Sequence, residues 1–176
     1  DKYKASVAST AEEALENNDI QAVFIASATP THTEFIIKAA KAGKAIFCEK
    51  PIDLDINKVN QCWDEIKNLK VPIQIGFNRR FDTSHNQVQK IANSGKIGQL
   101  EMVVITSRDP APPSLDYLKD SGGIFRDCTI HDFDLARFIL GDDPVVEVTA
   151  LGSQMVNDDI KKINDHDTTM CILKSK

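Results

Sequence analysis

The stretch Gln21-Ala-Val-Phe-Ile-Ala-Ser27 decides the fold of this chain. It is a continuous apolar run of strand length, which is typical of a strand buried in a parallel sheet. A second such run follows at Ala45-Ile-Phe-Cys48, and residues 71–77 are a third predicted strand, mostly apolar but with Gln74 inside it. A segment with helical spacing separates each of these runs from the next. Strand, helix, strand, helix, strand at this spacing predicts βαβ units and a parallel sheet.

The segments around these strands carry helix signals. Residues 31–42 are amphipathic and are followed by Gly43, which suits the left-handed backbone found just after many helices. Residues 55–69 have the spacing of a second helix. The side chains of that helix expected to point inward are Val59, Cys62, Trp63 and Ile66. Before the first strand, Ser9-Thr-Ala-Glu12 has the form of a capping box that begins a short helix.

The pattern changes near Asn78, where we place a boundary between two domains, residues 1–78 and 79–176. The second domain is predicted to contain helices over residues 84–94 and 125–140, and strands over residues 99–108, 145–154 and 168–173. The predicted fold class is therefore α/β. Part of a Rossmann-type parallel sheet is followed by part of an α+β domain with an open, mostly antiparallel sheet.

Composition argues against several kinds of partner. The 176 residues carry a net charge of −5 without a basic stripe, so nucleic acid is not expected to bind. The longest apolar runs, such as residues 22–26, are too short to span a bilayer. The four cysteines form neither a CxxC pair nor a zinc spacing, so we expect free thiols, a cytoplasmic protein and no metal site. These cysteines are Cys48, Cys62, Cys128 and Cys171.

Polar residues follow the first strand in Ser27-Ala-Thr-Pro-Thr-His32. In open α/β sheets, ligands bind at the carboxyl ends of the strands. Thr29 and Pro30 are expected to shape the turn, and Thr31 to cap the helix that follows. The alternative is a plain strand-to-helix turn in which His32 is packed or acts as a cap.

Two further strand ends carry charged residues. In Cys48-Glu-Lys-Pro51, Lys50 can hydrogen-bond a substrate hydroxyl and stabilise developing alkoxide charge; the alternative is a Glu-Lys surface pair. In Gly76-Phe-Asn-Arg-Arg-Phe-Asp82, Arg79 and Arg80 can bind hydroxyls, carboxylates or phosphates. The alternative there is an interdomain salt bridge to acids such as Asp82, and we expect one arginine in each role.

An acid and a histidine are spaced by four residues in the predicted helix over residues 125–140. If the segment is helical, Asp127 and His131 share one face, and a carboxylate beside an imidazole orients and tunes a base near neutral pH. The alternative is a helix N-terminal acid followed by an exposed histidine. Asp132 and Asp134 are then expected to be solvated charges.

Together these motifs resemble the Gfo/Idh/MocA family of NAD(P)-dependent oxidoreductases. The matching features are CEKP after one strand, GFNRRFD after the next, and GG-x3-D-x3-HD-x-D at a helix. The stretch SRDPAPP followed by SGGIFRDCTIHDFDLARFILG is most similar to the inositol 2-dehydrogenase branch. The resemblance covers essentially the whole chain but only about the middle half of a typical member.

The resemblance implies roles for particular residues. The expected catalytic residues are Lys50, Asp127 and His131, which would act on one alcohol oxygen. The expected substrate-binding residues are these three and Arg79. The expected cofactor-binding residues are Ser27, Thr29, Pro30, His32, Glu49 and Lys50. The Lys50–Pro51 peptide bond is expected to be cis, as in relatives.

The chain lacks the Gly-x-Gly-x-x-Gly loop of dinucleotide-binding folds, and both of its ends look cut. The acid that reads the adenosine ribose would belong to the missing part, so NAD is expected but NADP stays open. The parent protein is expected to be a homo-oligomer.

The resulting hypothesis is oxidation of a secondary alcohol of a cyclic polyol, with myo-inositol as the expected substrate and a nicotinamide cofactor as hydride acceptor. One alternative is a dehydrogenase of the same family that acts on a pyranose. A second is a regulator that senses sugar or cofactor without turnover, and a third is a natural short form without activity.

Overall fold

The three apolar runs form one parallel sheet in the computed structural model, which describes residues 5–176. The strands are β1 (Ala22–Ile25), β2 (Ala45–Cys48) and β3 (Ile73–Ile75), in the order β1-β2-β3. Both pairs of neighbours are parallel. The predicted Rossmann-type parallel sheet is therefore confirmed.

Three helices accompany this sheet: α1 (Ala11–Glu16), α2 (His32–Lys41) and α3 (Ile56–Ile66). The core lies between the sheet and the helices and contains Leu15, Ile25, Ile36, Ala39, Ala40, Ile46, Cys48, Cys62 and Ile66. The inward orientation predicted for Trp63 is wrong, because its side chain is 58% exposed. Cys62 and Ile66, four residues apart, define the buried face of α3, and Trp63 is rotated about 100° from Cys62.

The predicted end of α2 is confirmed, and the predicted start of α1 is shifted by one residue. Gly43 has φ +72°, the left-handed backbone expected after α2. At α1 the cap is Thr10 rather than Ser9, since the Thr10 hydroxyl accepts a hydrogen bond from the Glu13 amide. The Glu13 carboxylate in turn accepts one from the Ser9 amide at 2.7 Å. The cap therefore lies one residue later than predicted, and the glutamate accepts from the residue before the cap rather than from the cap itself.

The chain divides into two compact units, Asp1–Gly76 and Phe77–Lys176. The second unit contains the helices α4 (Thr83–Ala92), α5 (Leu115–Ser121), α6 (Ile124–Asp127) and α7 (Thr129–Leu140). It also contains the strands β4 (Val145–Ser153) and β5 (Thr168–Ser175), which pair antiparallel. The predicted α+β character and the last two predicted strands are confirmed.

Two predictions for the second unit are wrong. Residues 99–108 form no strand, and Met102 and Val104 are each 79% exposed. A strand needs a neighbour to bond its backbone, and among residues 5–176 no strand pairs with this segment. The single helix predicted over residues 125–140 is interrupted at Cys128, which separates α6 from α7.

A carboxylate fixes the loop between β4 and β5. Asp167 accepts hydrogen bonds from the backbone amides of Met155, Val156 and Asn157 at 2.8, 2.9 and 3.0 Å. It also accepts one from the Thr168 hydroxyl at 2.9 Å. Burial alone would raise the pKa of Asp167, but these hydrogen bonds outweigh it and hold the pKa well below its ordinary value.

We expect Asp167→Asn to lower the free energy of unfolding at pH 7 by about 1–2 kcal/mol. Because the folded-state pKa of Asp167 is depressed, its contribution is fully present above the unfolded-state value of about 3.9. It is lost as the pH falls through the folded-state pKa. Urea unfolding of the wild type and the variant should therefore differ less at pH 3 than at pH 7. Asp158→Asn is the control, since Asp158 forms an exposed pair with Lys161. Equal losses for both variants at pH 7 would contradict the prediction.

Candidate active site

Two loops of the first unit leave the same edge of the parallel sheet. Ile25 at the end of β1 lies opposite Cys48 at the end of β2. The loop of residues 26–31 and the segment of residues 49–51 therefore begin side by side, at the carboxyl edge where α/β sheets bind ligands. The structure thus brings the six predicted cofactor residues to one edge of one sheet.

These six residues differ in accessibility. Ser27 and Pro30 are exposed, and Thr29, Glu49 and Lys50 are half-buried. These five are accessible at the strand ends. The Lys50–Pro51 peptide bond is cis, in agreement with the resemblance.

Hydroxyl groups hold the loop after β1 together. The Ser27 and Thr31 hydroxyls lie 2.6 Å apart, and Thr31 Oγ1 donates to the Ala28 carbonyl at 2.7 Å. Thr31 occupies the N-cap position of α2, but its side chain accepts no hydrogen bond from the helix amides. The capping position predicted for Thr31 is right, whereas its side chain serves the turn instead.

His32 corresponds to the packed alternative rather than to an exposed ligand contact. It is 1% exposed. Its Nδ1 lies 2.8 Å from the Pro51 carbonyl oxygen, and its Nε2 lies 2.9 Å from the Ser27 carbonyl oxygen. Both ring nitrogens therefore contact the backbone of the two strand-end loops.

Gly76, just after β3, makes room for Glu49. A Cβ atom at Gly76 would lie 3.0 to 3.1 Å from the carboxylate of Glu49. The Gly76 amide also donates to the Cys48 carbonyl at 2.8 Å. The Glu49 carboxylate thus lies directly against the backbone that follows β3.

In the second unit, both arginines of GFNRRFD are paired with carboxylates of α7. Arg79 binds Asp132, and both also contact Ser107, whose hydroxyl lies 3.1 Å from Arg79 Nη1 and 2.6 Å from Asp132 Oδ1. Arg80 donates twice to Asp134, at 2.8 and 2.6 Å.

The predicted partners of these arginines were wrong. The acids are Asp132 and Asp134 rather than Asp82, and both pairs lie within one unit rather than between domains. Asp132 and Asp134 are also not solvated charges, since their side chains are only 21% and 10% exposed. The expectation that only one of the arginines would be ion-paired is wrong too.

Asp127 and His131 lie on successive helices rather than on one continuous helix. Asp127 is the last residue of α6 and is 8% exposed. Cys128 keeps right-handed helical angles, and its carbonyl accepts a hydrogen bond from the His131 amide at 3.1 Å. The His131 ring meets the Phe77 ring edge-on, with 6.4 Å between centroids. The acid and the histidine are thus one turn apart across a break.

Sequence reasoning missed Tyr117, which lies on α5 and hydrogen-bonds the side chain of Asp127. Burial, followed by this hydrogen bond and the charge of Asp127, raises the pKa of Tyr117 to about 12. The phenol therefore stays protonated at neutral pH and donates a hydrogen bond to the Asp127 carboxylate. The available signal was Ser114, whose hydroxyl accepts a hydrogen bond from the Tyr117 amide and caps α5.

Asp165 was also missed, and it caps the helix that carries Asp127. Its Oδ1 accepts a hydrogen bond from the Ile124 amide at 3.1 Å, and the residue is 8% exposed. Gly123 has φ +86° and ψ 166°, and a Cβ atom there would lie 2.8 Å from Asp165 Oδ1. Only a glycine at position 123 allows this close contact.

We expect Gly123→Ala to lower the free energy of unfolding by about 2 kcal/mol or more, because it combines backbone strain with loss of the Asp165 cap. Gly95→Ala is the matched control, since Gly95 has φ +75° with no atom within 4 Å of an added Cβ. Urea unfolding of both variants measures how much the Asp165 contact and the ψ of 166° at Gly123 together add to the cost of a positive φ. A loss no larger for Gly123→Ala than for Gly95→Ala would refute the role of Asp165.

Residues 5–176 contain neither a cluster of metal-binding side chains nor a membrane-spanning helix. No group of three or more histidine, cysteine, aspartate or glutamate side chains in this part of the chain is arranged to hold a metal ion. No helix in the same range combines the length and apolar character needed to cross a membrane.

A parallel sheet with polar strand-end loops defines a Rossmann-type nucleotide-binding unit. The α+β unit after it carries the acid and the histidine. Residues 1–77 match the NAD-binding Rossmann fold of the GFO/IDH/MocA oxidoreductase family, and residues 85–176 match the C-terminal domain of that family. The chain belongs to the GFO/IDH/MocA family.

Relatives that match most of the chain are named as inositol dehydrogenases. It is 51% identical over 157 residues to an inositol 2-dehydrogenase of Rhizobium meliloti, which is 89% of this chain and 47% of that protein. A myo-inositol dehydrogenase structure from Corynebacterium glutamicum superposes with a TM-score of 0.89 at 42% identity, covering 96% of this chain and 50% of that one.

A scyllo-inositol dehydrogenase structure from Lactobacillus casei, with bound NAD(H) and scyllo-inositol, superposes with a TM-score of 0.79 at 32% identity. It covers 94% of this chain and 50% of its own. The chain therefore spans about half the length of the relatives it matches.

Proposed function

We propose that the protein is an NAD-dependent dehydrogenase that oxidises one ring hydroxyl of myo-inositol to a ketone. The observation that carries this proposal is the buried Asp127 one helical turn before His131. The chain is also 51% identical to an inositol 2-dehydrogenase over 47% of that protein's length. A buried carboxylate near an imidazole is suited to general base catalysis.

Each catalytic group has one task in this proposal. His131 accepts the proton of the substrate hydroxyl, and Asp127 orients the imidazole. The Tyr117 phenol donates a hydrogen bond to Asp127 and so fixes its carboxylate. Lys50 donates a hydrogen bond to the same substrate oxygen and stabilises the negative charge that develops there.

When bound, NAD supplies the acceptor for the hydride that leaves the carbinol carbon. Ser27, Thr29, Pro30 and Glu49 would hold its nicotinamide half, since all four are accessible at the carboxyl edge of the first sheet. Arg79 is proposed to contact the substrate while Asp132 and Ser107 fix its guanidinium.

We further propose that residues 1–78 contribute to cofactor binding and residues 79–176 to substrate binding. The full-length protein is proposed to be a cytoplasmic homo-oligomer that binds neither nucleic acid nor membrane. The net charge of −5 without a basic stripe supports the absence of nucleic-acid binding, and the free cysteines support the cytoplasmic location. Size-exclusion chromatography with light scattering tests the oligomer, and a monomer would refute it.

The test of the function is a substrate panel with the full-length protein and NAD, followed by the absorbance of reduced cofactor. We expect the highest kcat/KM with myo-inositol among myo-inositol, scyllo-inositol and glucose. A preference for scyllo-inositol or for glucose would replace the proposed substrate. Saturable binding without turnover would instead favour a sensing role.

A further inference from the structure

His32 bridges two backbone segments that the sequence separates by more than twenty residues. Its Nδ1 contacts the carbonyl of Pro51, which follows Lys50, at 2.8 Å. Its Nε2 contacts the carbonyl of Ser27, which begins the loop after β1, at 2.9 Å. Because carbonyl oxygens only accept, the ring donates to at least one of them in either of its protonation states.

The position of His32 makes this bridge rigid. The residue is 1% exposed and is the first residue of α2, so the helix fixes its backbone while the surrounding protein buries its ring. A buried polar ring without partners would be costly. Here each nitrogen lies within hydrogen-bond distance of a carbonyl oxygen, so the neutral ring donates to one carbonyl and the imidazolium donates to both. An apolar residue of similar volume would fill the space but would break both contacts.

We propose that His32 is a positioning residue that sets the spacing between the segment carrying Lys50 and the loop of residues 27–31. This inference rests on the proposed function, in which Lys50 contacts the substrate and the loop contacts the nicotinamide half of NAD. It assigns His32 a role through the backbone rather than contact with the cofactor.

Two conservative substitutions separate the two contacts. In His32→Asn the side-chain amide nitrogen replaces Nδ1 and can still donate to Pro51. In His32→Gln it replaces Nε2 and can still donate to Ser27. His32→Leu removes both ring nitrogens and keeps most of the volume. Glu34→Gln, an exposed change on the same helix, is the control.

Hydrogen–deuterium exchange of the full-length protein tests the bridge without reference to activity. We expect His32→Leu to speed amide exchange roughly fivefold or more in both residues 27–31 and residues 49–53. His32→Asn should do so mainly in residues 27–31 and His32→Gln mainly in residues 49–53. Unchanged exchange in His32→Leu, or equal changes in both segments for the Asn and Gln variants, would overturn the proposal.

Steady-state kinetics adds a readout that general destabilisation would not reproduce. We expect His32→Gln to lower kcat about tenfold with little change in the KM for NAD, because the Lys50 segment loses its link. We expect His32→Asn to raise the KM for NAD with kcat within about threefold of wild type, because the loop of residues 27–31 loses its link. Identical kinetic changes in the two variants would count against the bridge. If the wild type oxidises no inositol, the proposed function fails, and the exchange data still decide whether His32 holds the two segments.

Discussion

Replacing His131 with alanine in the full-length protein is expected to lower kcat on myo-inositol by about 10²- to 10⁴-fold, the range that general base catalysis contributes. The imidazole is proposed to take the hydroxyl proton, and an alanine leaves no acceptor at that point. The KM for the substrate should change far less, because the proton is transferred only as the reaction proceeds.

A control variant and a folding measurement show whether the loss of kcat is specific to His131. His85→Ala is the control, since the His85 side chain is 42% exposed and contacts Asp82 on the surface. Thermal unfolding should show that His131→Ala stays folded, although the contact of its ring with Phe77 is lost. Activity of a folded His131→Ala protein close to that of wild type would end its assignment as the base.

Replacing Lys50 with methionine is expected to lower kcat/KM by about 10²- to 10³-fold, the loss typical of removing one donor from a developing oxyanion. Methionine keeps most of the side-chain volume and removes the charge and the hydrogen bonds. Lys50→Arg should not restore the rate, since a planar guanidinium does not replace a compact ammonium group. Steady-state kinetics on the full-length protein measures both effects.

The control for Lys50 is Lys58→Met, because Lys58 lies on the exposed side of α3. Combining Lys50→Met with His131→Ala adds a second test. If both groups act on one oxygen in one step, the double variant should lose far less than the product of the single losses. Fully multiplicative losses would show that the two residues act independently.

The strands of the first unit could be predicted because apolar runs of strand length leave a direct signal. The burial predicted for the first strand is wrong in part, since only Ile25 of β1 is buried and Phe24 is 65% exposed. The runs at Ala22–Ile25 and Ala45–Cys48 are apolar throughout, and the sheet they form is the predicted one. Periodicity was less reliable at Trp63, where helical spacing alone does not identify the centre of the buried face. It failed over residues 99–108, because alternation cannot show whether a neighbouring strand is present.

The positions of the candidate site residues could be predicted, but their partners could not. Arg79 and Arg80 were identified from their place after β3, whereas Asp132 and Asp134 lie more than fifty residues later. Tyr117 was missed since α5 is a short helix after a proline-rich stretch. Such pairs depend on tertiary packing, which no local pattern encodes.

The cap on α6 has a consequence for the order in which the second unit folds. Asp165 lies forty-one residues after the Ile124 amide that it binds, beyond β4. A contact of such sequence separation forms late, because a long loop must first close. The start of the helix that carries the acid therefore becomes fixed only when the chain after β4 has folded back. A nascent protein thus holds Asp127 in a loosely ordered segment until synthesis has passed residue 165.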